Sequence, residues 1–97
     1  MAIKWNKAAI KQLIDAIEFI EDAGFRSYAE ELEKDILYKV RNLPANSINY
    51  PLDKYRRNND GTYRAFEVEN YRISFRSKDD EIRIVRIRHT SRRAKNY

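Results

Sequence analysis

Tyr71-Arg72-Ile73-Ser74-Phe75-Arg76 and Glu81-Ile82-Arg83-Ile84-Val85-Arg86-Ile87-Arg88-His89 decide how this chain folds. In the first stretch Tyr71, Ile73 and Phe75 alternate with Arg72, Ser74 and Arg76, the period of two that sends successive side chains to opposite faces of a strand. In the second, Ile82 and Ile84 share one face but Val85 and Ile87 share the other, so that strand is either bulged or buried on both sides. Upstream, from Thr62, Phe66 and Val68 alternate with Ala65 and Glu67, and Glu69-Asn70 supplies a tight connection to Tyr71. Three strands joined by short turns predict an antiparallel meander.

The period changes to 3.6 towards the N-terminus. Ile3 to Trp5 predicts a brief strand running into a helix from about Lys7, with Asn6 as its N-cap. Ile10, Leu13, Ile14, Ile17 and Ile20 form one apolar stripe, and Gly24 is a natural stop. Ser27-Tyr28-Ala29-Glu30 matches the S-x-x-E capping box at the start of a second helix. Its apolar positions are Tyr28, Leu32, Ile36, Val40 and Leu43, and Pro44 ends it. Residues 44–61 hold most of the chain breakers, with a turn at Asp60-Gly61, and such length in a small domain suggests function or an edge strand. No internal repeat is visible.

The predicted order is β-α-α-β-β-β. It makes an α+β fold of one domain over 1–97, with the helical hairpin packed on one face of an antiparallel sheet and residues 89–97 as a basic tail. Ile14, Ile17, Ile36, Val40, Ile73 and Phe75 are expected in the core, with Trp5 beside the first strand.

Composition narrows the function classes. The 97 residues include no Cys and one His, which excludes disulfides and thiolate metal sites and argues against any protein metal centre or cofactor. The N-terminal MAIKWNKAAI has no apolar core of a signal peptide, and no stretch approaches the roughly 20 apolar residues of a membrane span, so a cytoplasmic protein without membrane contacts is expected. Charge is segregated: residues 1–48 carry 7 basic and 8 acidic side chains, residues 49–97 carry 13 and 7, a balance of −1 against +6. The second half therefore suits phosphate backbones or an acidic protein segment, or is simply a basic solvated surface.

The element order, with Tyr63-Arg64, Tyr71 to Arg76 and Glu81 to His89, closely resembles the RelE/ParE toxins of type II toxin-antitoxin pairs, and Arg88-His89-Thr90-Ser91-Arg92-Arg93 is similar to the family's ending after its last core strand. The resemblance implies a cognate antitoxin, part of which folds onto the toxin on binding. It implies one of two activities. RelE-like members cut mRNA in the ribosomal decoding site without a metal; ParE-like members inhibit DNA gyrase and are not nucleases.

Metal-free RNA cleavage needs a base for the 2′-OH proton, a cation for the pentavalent phosphate and an acid for the leaving oxygen. Arg64, Arg72 and Arg76, on adjacent predicted strands, can converge on one phosphate, or line a solvated strand face. His89, with an ordinary pKa of about 6.5, can move a proton or merely end the strand. Tyr97 resembles the tail tyrosine of the RelE-like nucleases, and Arg92 and Arg93 can hold adjacent phosphates. Lys54 and Glu67 are further candidates for the base. On the nuclease reading, the partners are ribosome and mRNA; on the other, gyrase. A third reading, a non-toxic nucleic-acid-binding module, rests on the basic half with Tyr50, Tyr55, Tyr63 and Tyr71, which equally suit core or edge packing.

Overall fold

A computed structural model describes residues 1–93 and 95–97. The chain runs β1 (Ala2–Trp5), α1 (Lys7–Asp22), α2 (Arg26–Arg41), a short α3 (Leu43–Asn46), a 3₁₀ turn (Ser47–Asn49), β2 (Tyr63–Val68), β3 (Tyr71–Lys78) and β4 (Glu81–His89). The strands form one sheet in the order β1-β4-β3-β2. The meander β2-β3-β4 is antiparallel, as its alternation predicts. β1 adds to β4 in parallel, because the helical hairpin between them returns the chain to the starting end of the sheet.

The meander's turns use backbone geometry that few residues accept. Asp79 and Asp80 both have positive φ, 53° and 60°, as a two-residue hairpin turn following the twist of its strands requires. At Ser74/Phe75 the β3–β4 register shifts: Phe75 pairs with Ile84 and Ser74 with Arg86. Val85 is the extra residue, so β4 is bulged, and Ile82, Ile84 and Ile87 all reach the helix side. All three are at most 3 % exposed.

The helices close that face. Ala29, Leu32, Ile36 and Val40 of α2 and Ala9, Ile17 and Ile20 of α1 pack with Phe66, Ile73, Phe75 and the three isoleucines of β4, with Trp5 and Leu13 partly buried against them. The expected α1 stripe is thus split. Ile14 is 49 % exposed and Ile10 43 %, since two small residues, Ala9 and Ala16, lie on the arc that meets the sheet and α2. Tyr28, expected on the α2 stripe, is also exposed.

The helix ends follow local chemistry. Gly24, at φ 91°, closes α1: its N–H bonds Glu21 O and that of Phe25 bonds Ile20 O, the paired bonds of a Schellman ending. At the other end, Asn6 precedes the helix without capping it by its side chain; its Oδ1 instead accepts from Arg83 Nη1 at 3.2 Å. The capping box does not form. Helix α2 begins two residues earlier, with Phe25 as N-cap and no side-chain cap bond, and Glu30 pairs with Arg26 at 3.3 Å. Where β1 ends, α1 completes the sheet edge, as Gln12 Oε1 accepts the N–H of Ile87 at 2.8 Å.

Candidate functional site: the second face of the sheet

Cross-strand register places three rows of side chains on the face away from the helices. They are Tyr63, Arg76 and Arg83; Ala65, Ser74 and Arg86; and Glu67, Arg72 and Arg88. Ala65 and Ser74 are each 1 % exposed. Their small side chains leave a trough across the sheet's middle, and two segments lie over it: the loop after Tyr50 and the C-terminal tail.

The loop is held by its own polar side chains. Asn59 Nδ2 donates to Asp53 O and Tyr63 O, while its Oδ1 accepts from Gly61 and Tyr63 N–H. Leu52 makes a single antiparallel bridge to Arg64, so residues 44–61 contribute one point of edge pairing. At Asp60-Gly61 the expected turn forms, with Gly61 at φ 91°. Hydrogen bonds from the Thr62 hydroxyl and N–H, then from Arg76, hold the Asp60 carboxyl down at about 2.

Asp53 is the centre of the site. Only 2 % exposed, it accepts the Tyr55 N–H at 3.1 Å on Oδ1 and the Tyr97 hydroxyl at 2.6 Å on Oδ2, and Arg72 Nη2 lies 3.6 Å from Oδ1. The tail joins the loop through its backbone as well: Tyr97 N–H donates to Tyr55 O and Arg57 N–H to Tyr97 O. The Tyr97 ring lies 3.9 Å from the Arg86 guanidinium and 5.1 Å from that of Arg56, and Arg86 Nη1 donates to Lys95 O. Cations against an aromatic ring contribute about 0.5–2 kcal/mol each, most when desolvated.

The expected site residues divide between the two faces. Arg64 does not converge with Arg72 and Arg76: it pairs across from Phe75 on the helix side and donates to Tyr50 O at 2.6 Å. Arg72 is occupied by Glu67 at 3.1 Å and by Asp53, and Arg76 by Thr62 and Asp60. His89 packs edge-on against Tyr71, ring centroids 5.0 Å apart, and its Nδ1 meets Ser91. That turns its ring towards Tyr71, while the residue borders both the groove beside α1 and the cavity on the second face. Lys54 lies over the Tyr55 ring, and Arg92 and Arg93 are exposed at the start of the tail, whose residue 94 lies outside the described residues. Tyr71 and Tyr50 belong to the core, whereas Tyr63 and Tyr55 lie beneath arginines of the second face. Among the described residues no group of three or more His, Asp or Glu is placed to hold a metal. None of their helices is long and apolar enough to cross a membrane.

Asp53 and Arg86 are not among the site residues that the sequence points to. The signal available for Asp53 is that it is the one carboxylate among residues 36–59, so the cations around it have no other local partner.

A model of the ParE toxin of parDE type II toxin-antitoxin systems matches residues 3–94. The chain belongs to this ParE toxin family. Membership implies a cognate antitoxin partner. A solved structure described as a chromosomal ParDE toxin-antitoxin system from P. aeruginosa has the same fold, with TM-score 0.73 and 22 % identity, over 94 % of this chain and 97 % of that one. No curated protein compared with this ParE-family chain matches it.

The anchoring of Tyr97 has a measurable signature. Burial, then the bond to Asp53, push its hydroxyl from 10 up to about 12. A proton held more tightly in the folded state gives stability that is complete below pH 10 and is lost as pH rises towards 12. Tyr71 is also raised, by burial. Unfolding of Tyr97→Phe between pH 9 and about 12 should therefore show a shallower alkaline loss of stability than wild type. Identical slopes would mean that Tyr97 is not held in this way.

Proposed function

We propose that this ParE-family toxin arrests growth by inhibiting DNA gyrase, and that it does not cut mRNA. The observation that carries this reading is the division of the Arg, His and Tyr groups that ribosome-dependent cleavage would use. Tyr97 is anchored on the second face by Asp53, whereas the His89 ring turns towards Tyr71 and Arg64 lies on the helix side. Proton transfer requires acid and base within about 3 Å of one reacting nucleotide. A phenol raised to about 12 is moreover a weak acid at neutral pH.

In the same reading, an antitoxin segment covers the groove of about 470 Å³ between α1 and the end of β4, where Ala16, Phe19, Tyr71 and Ile87 give it an apolar lining. Apolar clefts beside exposed helix faces are where segments that fold on binding dock.

Supercoiling by purified gyrase and primer extension on ribosome-bound mRNA, run with the same toxin preparation, test the proposal. Supercoiling should be lost while the mRNA stays intact, and His89→Ala should retain the effect on gyrase. Discrete cuts at the decoding site with supercoiling unimpaired would overturn it.

A further inference from the structure

We infer that the second face carries a phosphate-binding pocket, formed by Lys54, Arg88 and Arg92 in front of Arg72 and Arg86, which takes a backbone phosphodiester of nucleic acid without performing chemistry on it. The inference deepens the gyrase reading by adding the DNA that gyrase holds to the surfaces the toxin touches. Its support is a local imbalance of charge. Arg88 stands directly across from Arg72 in the strand register, and Arg76 directly across from Arg83. Like charges in directly opposed positions destabilise a sheet. At the second pair each arginine has its own carboxylate, Asp60 for Arg76 and Glu81 for Arg83. At the first, Glu67 and Asp53 both serve Arg72, and Arg88 has no carboxylate partner among the described residues.

These side chains surround a cavity of about 110 Å³, lined also by Tyr55, Glu67, His89 and Thr90. At about 30 Å³ per water that is room for a few waters, enough for a tetrahedral oxyanion. Five cations, Lys54, Arg72, Arg86, Arg88 and Arg92, face two carboxylates, Asp53 and Glu67, which leaves +3 for a ligand to neutralise. The Arg72 Nε is buried without a hydrogen-bond partner in the protein, which leaves one more donor for an anion in the pocket. Guanidinium pairs are suited to phosphate because each offers two parallel N–H donors. Arg86 has its pKa lowered, first by burial and further by Arg88 and Arg72, the crowding that an anion would relieve.

The test uses the intact toxin, a fluorescent 20-base-pair DNA duplex and anisotropy between about 50 and 200 mM salt. Each phosphate contact contributes about −0.9 to the slope of log K against log salt on duplex DNA. The double variant Arg88→Gln/Arg92→Gln should flatten that slope by about 2 and weaken binding at the low-salt end about 10-fold or more. Lys7→Gln/Lys34→Gln removes the same charge from exposed helix positions and should bind within about twofold of wild type. A single-stranded RNA of the same sequence distinguishes the source: tighter binding to the duplex assigns the pocket to DNA, tighter binding to the RNA to RNA. Sulfate should raise the melting temperature of wild type and of the helix double variant more than that of Arg88→Gln/Arg92→Gln. No salt-dependent binding, or equal losses in the two double variants, overturns the pocket. Because gyrase is absent from the tube, that failure leaves the gyrase reading standing, and failure of the supercoiling assay leaves the pocket standing.

Discussion

Asp53→Ala should lower stability by about 3 kcal/mol, the range expected when one partner of a buried charge pair is deleted. For a domain of this size that is a fall of about 12–24 °C in melting temperature. The cost comes from three places. Tyr97 loses the acceptor of its 2.6 Å bond, the Tyr55 N–H loses its partner, and Arg72 keeps only Glu67, whose side chain is 53 % exposed and screened by water. Asp53→Asn should fall between the two, since an amide oxygen still accepts from the phenol but brings no charge to Arg72. In both variants the tail should exchange its amide protons faster, because its backbone bonds to Tyr55 and Arg57 depend on Tyr97 staying seated. A drop under about 4 °C in Asp53→Ala would mean that the cluster on the second face is surface decoration.

The parts of this fold that were legible in the sequence rest on short-range periodicity. Alternation from Tyr63 to His89 predicts the meander, and the change of parity between Ile84 and Ile87 predicts the bulge, with the alternative of double burial settled only by the pairing of Ser74 with Arg86. Arg64 shows the same rule opposing a chemical expectation. The parity that turns Phe66 and Val68 inward turns Arg64 inward too, so it was never free to join Arg72 and Arg76. The α1 stripe misled because apolarity was weighed without size: Ala9, fully buried, lets the helix approach closely, and Ile14 is left on the rim. The capping box failed for a local reason, since the chain emerging from the Gly24 ending already turns helical at Arg26.

The centre of the candidate site was not legible because no periodicity joins residues 44 positions apart. Asp53 and Tyr97 meet through an irregular loop and a tail, and their contact depends on the trough that Ala65 and Ser74 open in the sheet. Small residues at the middle of a strand, and a single carboxylate among residues 36–59, are its traces in the sequence. The same geometry decides which of the basic residues are already neutralised by a carboxylate.

Phe75→Ala should be the most damaging single substitution in the core, costing about 3–5 kcal/mol. Phe75 is fully buried at the Ile84 pairing beside the bulge, with the rings of Phe66 and Tyr50 centred 6.1 and 6.3 Å away, the latter at 84°. Truncating it removes both aromatic contacts and leaves a void that flanking strands cannot fill without breaking register. Against a total stability of about 5–15 kcal/mol, that leaves a population of unfolded toxin large enough to measure in mild urea. Ile14→Ala and Ile17→Ala supply the internal comparison on one helix. Ile17, 9 % exposed, should cost about 2 kcal/mol or more, whereas Ile14, half exposed, should stay within about 0.5 kcal/mol. Equal losses at the two isoleucines would mean that α1 buries its whole stripe and sits rotated from the position described, which would also close the groove between α1 and β4 assigned to the antitoxin.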